Sequence, residues 1–391
     1  MFSRILPLVI ILTISASAAE VRPPARDPNP LVVHEWGTFT SIADVEGQPL
    51  VWTPLAGQSD LPCFVYRTRE LPKTVLAGTV RMETPVLYFY STQPAIVDVS
   101  LRFNQGLITE WFPRADVPTG TGPLNLAAPG FYRTMKWEDV KITPRGKEDF
   151  PIERASSHYY AARATDAAPV ETGSEKEKFL FYRGVGRFPL PLTAAVEADG
   201  RVRVKAADRL QPIATAILFT NQNGRIGYSV ARGIAGEQML EMPAAGASDA
   251  ALRQDLEQLL IAEGLFAREA QAMVETWRDS WFEEGTRLFY VVPQASVDAV
   301  LPLQIKPQPT QVARVFVGRL ELITPAMIDR VRQAIVSGDA AALAKHGRFL
   351  DPIVNRLITI DRPRVDLSRI KQLKQAAFET NLRSTAWCTG R

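Results

Sequence analysis

Leu31-Val32-Val33-His34-Glu35-Trp36-Gly37-Thr38-Phe39-Thr40 is the stretch on which the fold turns. β-branched and aromatic residues dominate it, and these favour a pleated, half-buried surface. A strand has period two, so His34, Trp36 and Thr38 share one face and Val33, Glu35 and Phe39 the other. Residues 19–30 precede it with Pro23, Pro24, Pro28 and Pro30, which makes them an extended linker. A strand leaving such a linker is expected at a sheet edge, with one face or rim open.

Outward from this strand, short β segments recur at 63–67, 84–91, 96–103, 107–112 and 137–142, with Gly or Pro between several of them. That rhythm predicts an antiparallel sandwich over 31–150 rather than alternating βαβ units. Residues 113–131 are rich in Pro, Gly and Thr and read as a surface loop. Residues 151–178 carry only weak periodicity and form an unassigned connector. A second β block covers 179–245, with hairpin turns at Asp199-Gly200 and Asn221-Gln222-Asn223-Gly224.

From 246 to 391 the period changes. Leu252, Leu256, Leu259 and Leu260 form a helical stripe behind a Ser248 cap, and a second helix covers 267–283. Met273, Trp277 and Trp281 mark the buried face of that helix, leaving Arg278, Asp279, Glu283 and Glu284 for solvent. Strands return at 287–293, 301–305 and 312–323. Thr324-Pro325 then opens another helix as cap and first residue. The fold class is mainly β with α (α+β): two antiparallel β-sandwich-like blocks followed by a helical C-terminal part.

The chain has 391 residues, 46% hydrophobic and 22% charged, with formal charge +3. Residues 1–18 read as a signal peptide, with Arg4 as n-region, 5–14 as apolar h-region and Ala16-Ser17-Ala18 as cleavage site. The product is expected to be exported, periplasmic or extracellular, with no transmembrane anchor after cleavage, because the h-region is too short to span. Removing the leader leaves 44 basic against 42 acidic residues. So near-neutral a chain has no global field for nucleic acid. The two cysteines, Cys63 and Cys388, would meet an oxidising compartment, where a disulfide can tie the tail to the first domain.

Four phrases occur together: His34-Glu35-Trp36-Gly37-Thr38-Phe39-Thr40, Arg81-Met82-Glu83-Thr84-Pro85-Val86-Leu87-Tyr88-Phe89-Tyr90, Phe179-Leu180-Phe181-Tyr182-Arg183-Gly184 and Trp277-Arg278-Asp279-Ser280-Trp281-Phe282-Glu283-Glu284-Gly285. In these the chain resembles exported bacterial proteins carrying an HEWGTFT phrase near the mature N-terminus. The resemblance implies export and brings no activity, cofactor or catalytic residue with it.

No G-x-S-x-G elbow, phosphate loop, H-E-x-x-H or Cys-x-x-Cys occurs, and no cofactor is expected. Three histidines are present: His34, His158 and His346. His34 and His158 are the weak metal candidates, short of the two or three His or Cys ligands of a zinc site. His346 reads as a surface residue. Glu35, Glu83 and Glu110 lie in separate strands. Convergence of two of them would supply the acid and base of a hydrolase, whereas pairing with Arg81 and Arg102 would make them structural. The aromatic face carrying His34, Trp36, Tyr88 and Tyr90 suits a glycan or peptide. The expected function is therefore an exported binding or scaffold protein with a ligand surface on the first domain. The alternative is an extracytoplasmic hydrolase using a carboxylate pair or a His34-centred metal.

Overall fold

A computed structural model describes residues 30–54, 61–68, 76–119, 126, 131–153, 157–208, 211–361 and 366–382. The expected signal peptide, nearly all of the linker, and Cys388 lie outside the described residues. The strands are β1 Val32–Ala43, β2 Tyr66–Arg67, β3 Val80–Tyr90, β4 Ala95–Arg102, β5 Gly106–Phe112, β6 Thr134–Ile142, β7 Val170–Thr172, β8 Glu175–Glu177, β9 Leu180–Gly186, β10 Leu192–Val196, β11 Val202–Ala206, β12 Ile213–Gln222, β13 Arg225–Ile234, β14 Glu237–Leu240, β15 Gly285–Val292, β16 Leu303–Lys306 and β17 Gln311–Leu322. The helices are α1 Asp249–Ala262, α2 Ala267–Trp281, α3 Gln294–Val300, α4 Pro325–Ser337, α5 Ala340–Ala344, α6 Leu350–Asp361 and α7 Leu367–Leu382. Short 3-10 turns occupy His158–Arg163 and Gly347–Phe349. The chain is thus β-rich with α, its helices gathered towards the C-terminus.

The sheets show how the strands are shared. A nine-stranded sheet runs β13-β12-β15-β17-β1-β3-β9-β5-β2, beside sheets ordered β16-β4-β6-β7-β8 and β10-β11-β14. Strands expected in two blocks interleave: β9 sits between β3 and β5, while β12 and β13 extend the far side. β1 is central rather than an edge. It pairs antiparallel with β3 and parallel with β17, Thr40 opposing both Arg81 and Arg319. The linker signal misled because a Pro-rich approach constrains only how the chain arrives, not which strands later flank it.

The large sheet separates two cores. On one face Val33, Phe39, Met82, Tyr182, Phe316 and Tyr290 pack against the two smaller sheets. On the other, Trp36, Tyr88, Phe181, Val317, Phe289 and Phe219 pack against α1, α2 and the 158–163 turn. Beyond the ends of β1 and β17, a third cluster joins Ile42, Trp52 and Ile323 to α4, α6 and α7. The layers are therefore sheet, sheet and helix. The local signals explain the elements. Thr324 accepts the Met327 N–H at 3.1 Å above Pro325 at the start of α4, and Gly338 ends that helix at φ 78°.

Candidate functional site

The sequence-predicted strip does come together, but under cover. His34, Trp36 and Tyr88 have no exposed surface. Tyr88 donates to the Ala162 carbonyl at 2.6 Å, and Trp36 lies 6.1 Å from Tyr88, ring to ring. His34 Nδ1 meets Glu269 Oε2 at 2.7 Å, Tyr90 donates to Glu269 Oε1 at 2.9 Å, and Phe266 lies over the His34 ring at 4.4 Å. Only Tyr90 is partly exposed. An open ligand surface at His34, Trp36, Tyr88 and Tyr90 is therefore corrected to a packed core, because α2 and the 158–163 turn lie on that face.

Of the weak metal candidates, His34 is taken by Glu269 and His158 is only half-buried. His158 heads the 158–163 turn, and among the described residues no group of three His, Cys, Asp or Glu side chains is arranged to hold a metal ion. The carboxylates do not form an acid–base pair either. Glu35 and Glu83 lie on opposite faces of the large sheet. Glu35 takes Arg314 at 2.6 Å and the Tyr182 hydroxyl at 2.5 Å. Burial works against charge on Arg314, but Glu35 beside it holds its pKa above the ordinary value. Glu110 accepts from Thr109.

Glu83 belongs to a polar band at the seam between the two helical covers. Thr38 and Thr40 of β1, Arg81 and Glu83 of β3, Arg287 of β15, and Arg319 and Glu321 of β17 share the helical face of the sheet. Thr40 donates to Glu83 at 2.6 Å, Arg81 lies 3.2 Å from it, and Arg348 closes over it from the C-terminal part. Burial alone would raise the Glu83 pKa, but Arg348, Arg81 and Arg319 more than offset it and hold it at about 2. Arg319 donates to Glu283 at 2.6 Å. Burial, with Arg287 and Arg348 nearby, brings the Arg319 pKa down to about 10. Glu283, which follows α2 and is half-buried, is thus drawn into the band rather than left to solvent. Burial opposes its charge, and Arg319, Arg348 and Arg287 hold its pKa below the ordinary value.

Arg287 organises the loop between α2 and β15. Its guanidinium donates to the carbonyls of Trp281 at 2.7 Å, Glu283 at 2.8 Å and Glu284 at 2.8 Å. Carbonyls at a helix end lack intrahelical partners, and Arg287 supplies one. The β12–β13 turn docks beside this loop through Asn221, which donates to the Phe282 carbonyl at 2.8 Å. Asn223 and Gly224 take φ 53° and 78°, as a two-residue hairpin turn requires.

These anchors frame a cavity of about 130 Å³ lined by Gln222, Asn223, Glu284, Arg330, Ala334, Ala342, Lys345 and His346. The hairpin gives the two amides, the α2–β15 loop gives Glu284, and α4 gives Arg330 and Ala334 one helical turn apart. The α5 corner gives Ala342, Lys345 and His346. Burial, then Arg330 and Lys345, hold the His346 pKa below its ordinary value, with Glu284 pulling the other way. The imidazole is therefore neutral at pH 7 and can accept a hydrogen bond. Sequence reasoning missed this site. His346 read as surface and Glu284 as solvated, and the basic run Lys345-His346-Gly347-Arg348 was the one available signal.

No family model matches the sequence, and no curated protein is similar to it. Among solved structures, the chain is similar to the Fcho1 Mu homology domain of Danio rerio with bound Eps15 peptide, at 8% identity and TM-score 0.31. That likeness covers 76% of this chain and 97% of that one, and is too slight to bear on fold or function.

Proposed function

We propose that this protein works outside the cytoplasm as a binding protein for a small solute carrying an anionic group, held in the cavity between the β12–β13 turn and α4. One observation carries the reading. Gln222, Asn223, Glu284, Arg330, Lys345 and His346 line one cavity, and among the described residues none of these side chains makes a protein ion pair or hydrogen bond. The cavity opens on the surface, with Gln222, Asn223, Arg330 and Lys345 exposed, whereas the buried charges Glu35, Glu83, Glu321 and Arg287 of the core are all engaged. Two cations and a neutral imidazole against one carboxylate favour an anionic group. Size narrows the ligand further. Pockets for drug-sized molecules hold roughly 300–1,000 Å³, so about 130 Å³ suits an ion-sized solute or the anionic end of a larger one.

The test is thermal unfolding of the protein against phosphate, sulfate and short carboxylates at constant ionic strength. A ligand at a hundred times its Kd stabilises the native state by about 2.7 kcal/mol. Arg330→Gln with Lys345→Gln should remove that gain while leaving the unliganded midpoint nearly unchanged. A panel that moves no midpoint, or a double variant that still responds, overturns the reading.

A further inference from the structure

Among the described residues, β13 is the longest strand at the rim of a sheet. It closes one end of the nine-stranded sheet over 10 residues, whereas the rim strands β2, β8, β10, β14 and β16 have 2, 3, 5, 4 and 4. Its register with β12 is unbroken from Gln222↔Arg225 to Thr215↔Arg232. Alternate residues of such a strand turn their N–H and C=O away from the neighbour. The Ile226 carbonyl faces outward, since it accepts from the N–H groups of Gly246 and Ala247 at 2.7 and 3.0 Å. Tyr228, Val230 and Arg232 follow it at period two, so their backbone groups face outward as well. Among the described residues no backbone pairs with them. Folded proteins shield such an edge with Pro, Lys, a bulge or a covering segment. β13 has no Pro or Lys and no bulge up to Arg232. Its two arginines lie towards its ends, and the centre of the open stretch is Val230, 36% exposed.

We propose that a second copy of this chain pairs antiparallel along this edge, β13 to β13, with the two Val230 residues opposed across a two-fold axis. Centring on Val230 uses the whole open stretch. Val230 bonds its counterpart, and Tyr228 of each copy bonds Arg232 of the other, so every outward N–H and C=O from 228 to 232 is satisfied. The side chains select the same register. Tyr228, Val230 and Arg232 share the helical face of the sheet, and Tyr228 donates its hydroxyl to Asp255 of α1 at 2.8 Å. Opposed residues of an antiparallel pair lie on one face, about 4.5–5.5 Å apart at Cβ. Arg232 of one copy therefore comes over the Tyr228 ring of the other and within reach of its Asp255, and the axis repeats the contact. A slip to the next register sets Val230 against Arg232, or Arg232 against Ile226, whose carbonyl is already taken. The cation and its acceptor lie equally far on either side of Val230, which is the self-complementarity that a two-fold contact needs.

A single strand pair is a small interface, of the size class of transient complexes, so the dimer should dissociate on dilution. Sedimentation equilibrium of the purified protein should show monomer passing to dimer as concentration rises to the millimolar range. Val230→Lys sets two like charges together at the axis and should raise the dimer dissociation constant by at least about tenfold. Arg232→Glu and Asp255→Arg should each do the same, because each leaves like charges facing between the copies. The two combined should restore the original constant. All three side chains are exposed, so each variant should fold, which its melting curve as dilute monomer checks. Protein that stays monomeric throughout overturns the proposal and leaves the edge to an extended segment of another protein. A dimer that Val230→Lys leaves intact, or one that the charge swap fails to restore, overturns it too.

Discussion

Trp36 has no exposed surface and sits between Tyr88 and the helices above the sheet. Its neighbours in the same phrase each do separate structural work. His34 joins Glu269, Glu35 joins Arg314, Phe39 stacks on Phe316 at 4.8 Å, and Thr40 donates to Glu83. Trp36→Ala should therefore cost about 3–5 kcal/mol, as for a core aromatic, in a urea midpoint measurement. An unchanged midpoint would restore a ligand-facing role. Glu83 gives a pH prediction. In the unfolded chain it takes its proton near the ordinary value of 4.5, and in the fold at about 2. The stability it contributes is fully present above pH 4.5 and is lost as pH falls towards 2. Urea midpoints measured down that range should fall, and Glu83→Gln should make the fall shallower. At neutral pH the same variant should be less stable by about 3–5 kcal/mol, because Arg81 and Arg348 lose their counter-charge.

At the scale of elements, two glycines mark where backbone and side chains meet closely. A Cβ on Gly37 would lie 2.8 Å from the Phe316 ring, so β1 and β17 can pack that ring only over a bare Cα. Gly37→Ala should cost about 1–3 kcal/mol as overpacking. Gly285 takes φ +139°, and a Cβ there would strike both Arg287 and Glu321. Gly285→Ala should thus strain the backbone by about 1–3 kcal/mol and also push Arg287 off the carbonyls that hold the α2–β15 loop. That loop borders the cavity, so the variant should show a smaller thermal shift with bound anion as well as a lower melting temperature. A variant that melts lower yet binds normally would separate the loop from the site. The phrase ending Trp281-Phe282-Glu283-Glu284-Gly285 makes sense as a helix end clamped by one arginine.

Over the whole molecule, pairing is dominated by long sequence separations. β1 and β17 run parallel with Glu35 and Arg314 joined across 279 positions, and Arg348 reaches Glu83 across 265. The C-terminal helices are therefore bound to the first strands through charge as well as through Ile42 and Trp52. Among the described residues there is no free cysteine, and no helix is long and apolar enough to cross a membrane. The pairing of Cys63 with Cys388 is a proposal that a thiol titration decides. Native protein should show no reactive thiol before reduction, and reduction should cost up to about 4–5 kcal/mol for so long a loop. Two titratable thiols in unreduced protein would end it.

Local chemistry determined the elements. Two-residue alternation marked β1, β3 and β5, Asn223-Gly224 marked a hairpin, and Thr324-Pro325 marked the start of α4, because period and caps depend on neighbours in sequence. That Glu35 takes an arginine was legible too, since a buried carboxylate needs a cation, but not which one: Arg314 pairs with it, rather than Arg81 or Arg102. Tertiary structure alone decided the rest. Period two says which residues share a face but not what covers it, so the His34–Trp36–Tyr88 face could be open or roofed, and α2 roofed it. The cavity draws on 222–223, 284, 330–334 and 342–346, four stretches whose proximity no local pattern encodes. The hairpin, the α2–β15 loop and α4 bring those side chains around one open space at the surface, an arrangement that exists only in the folded chain.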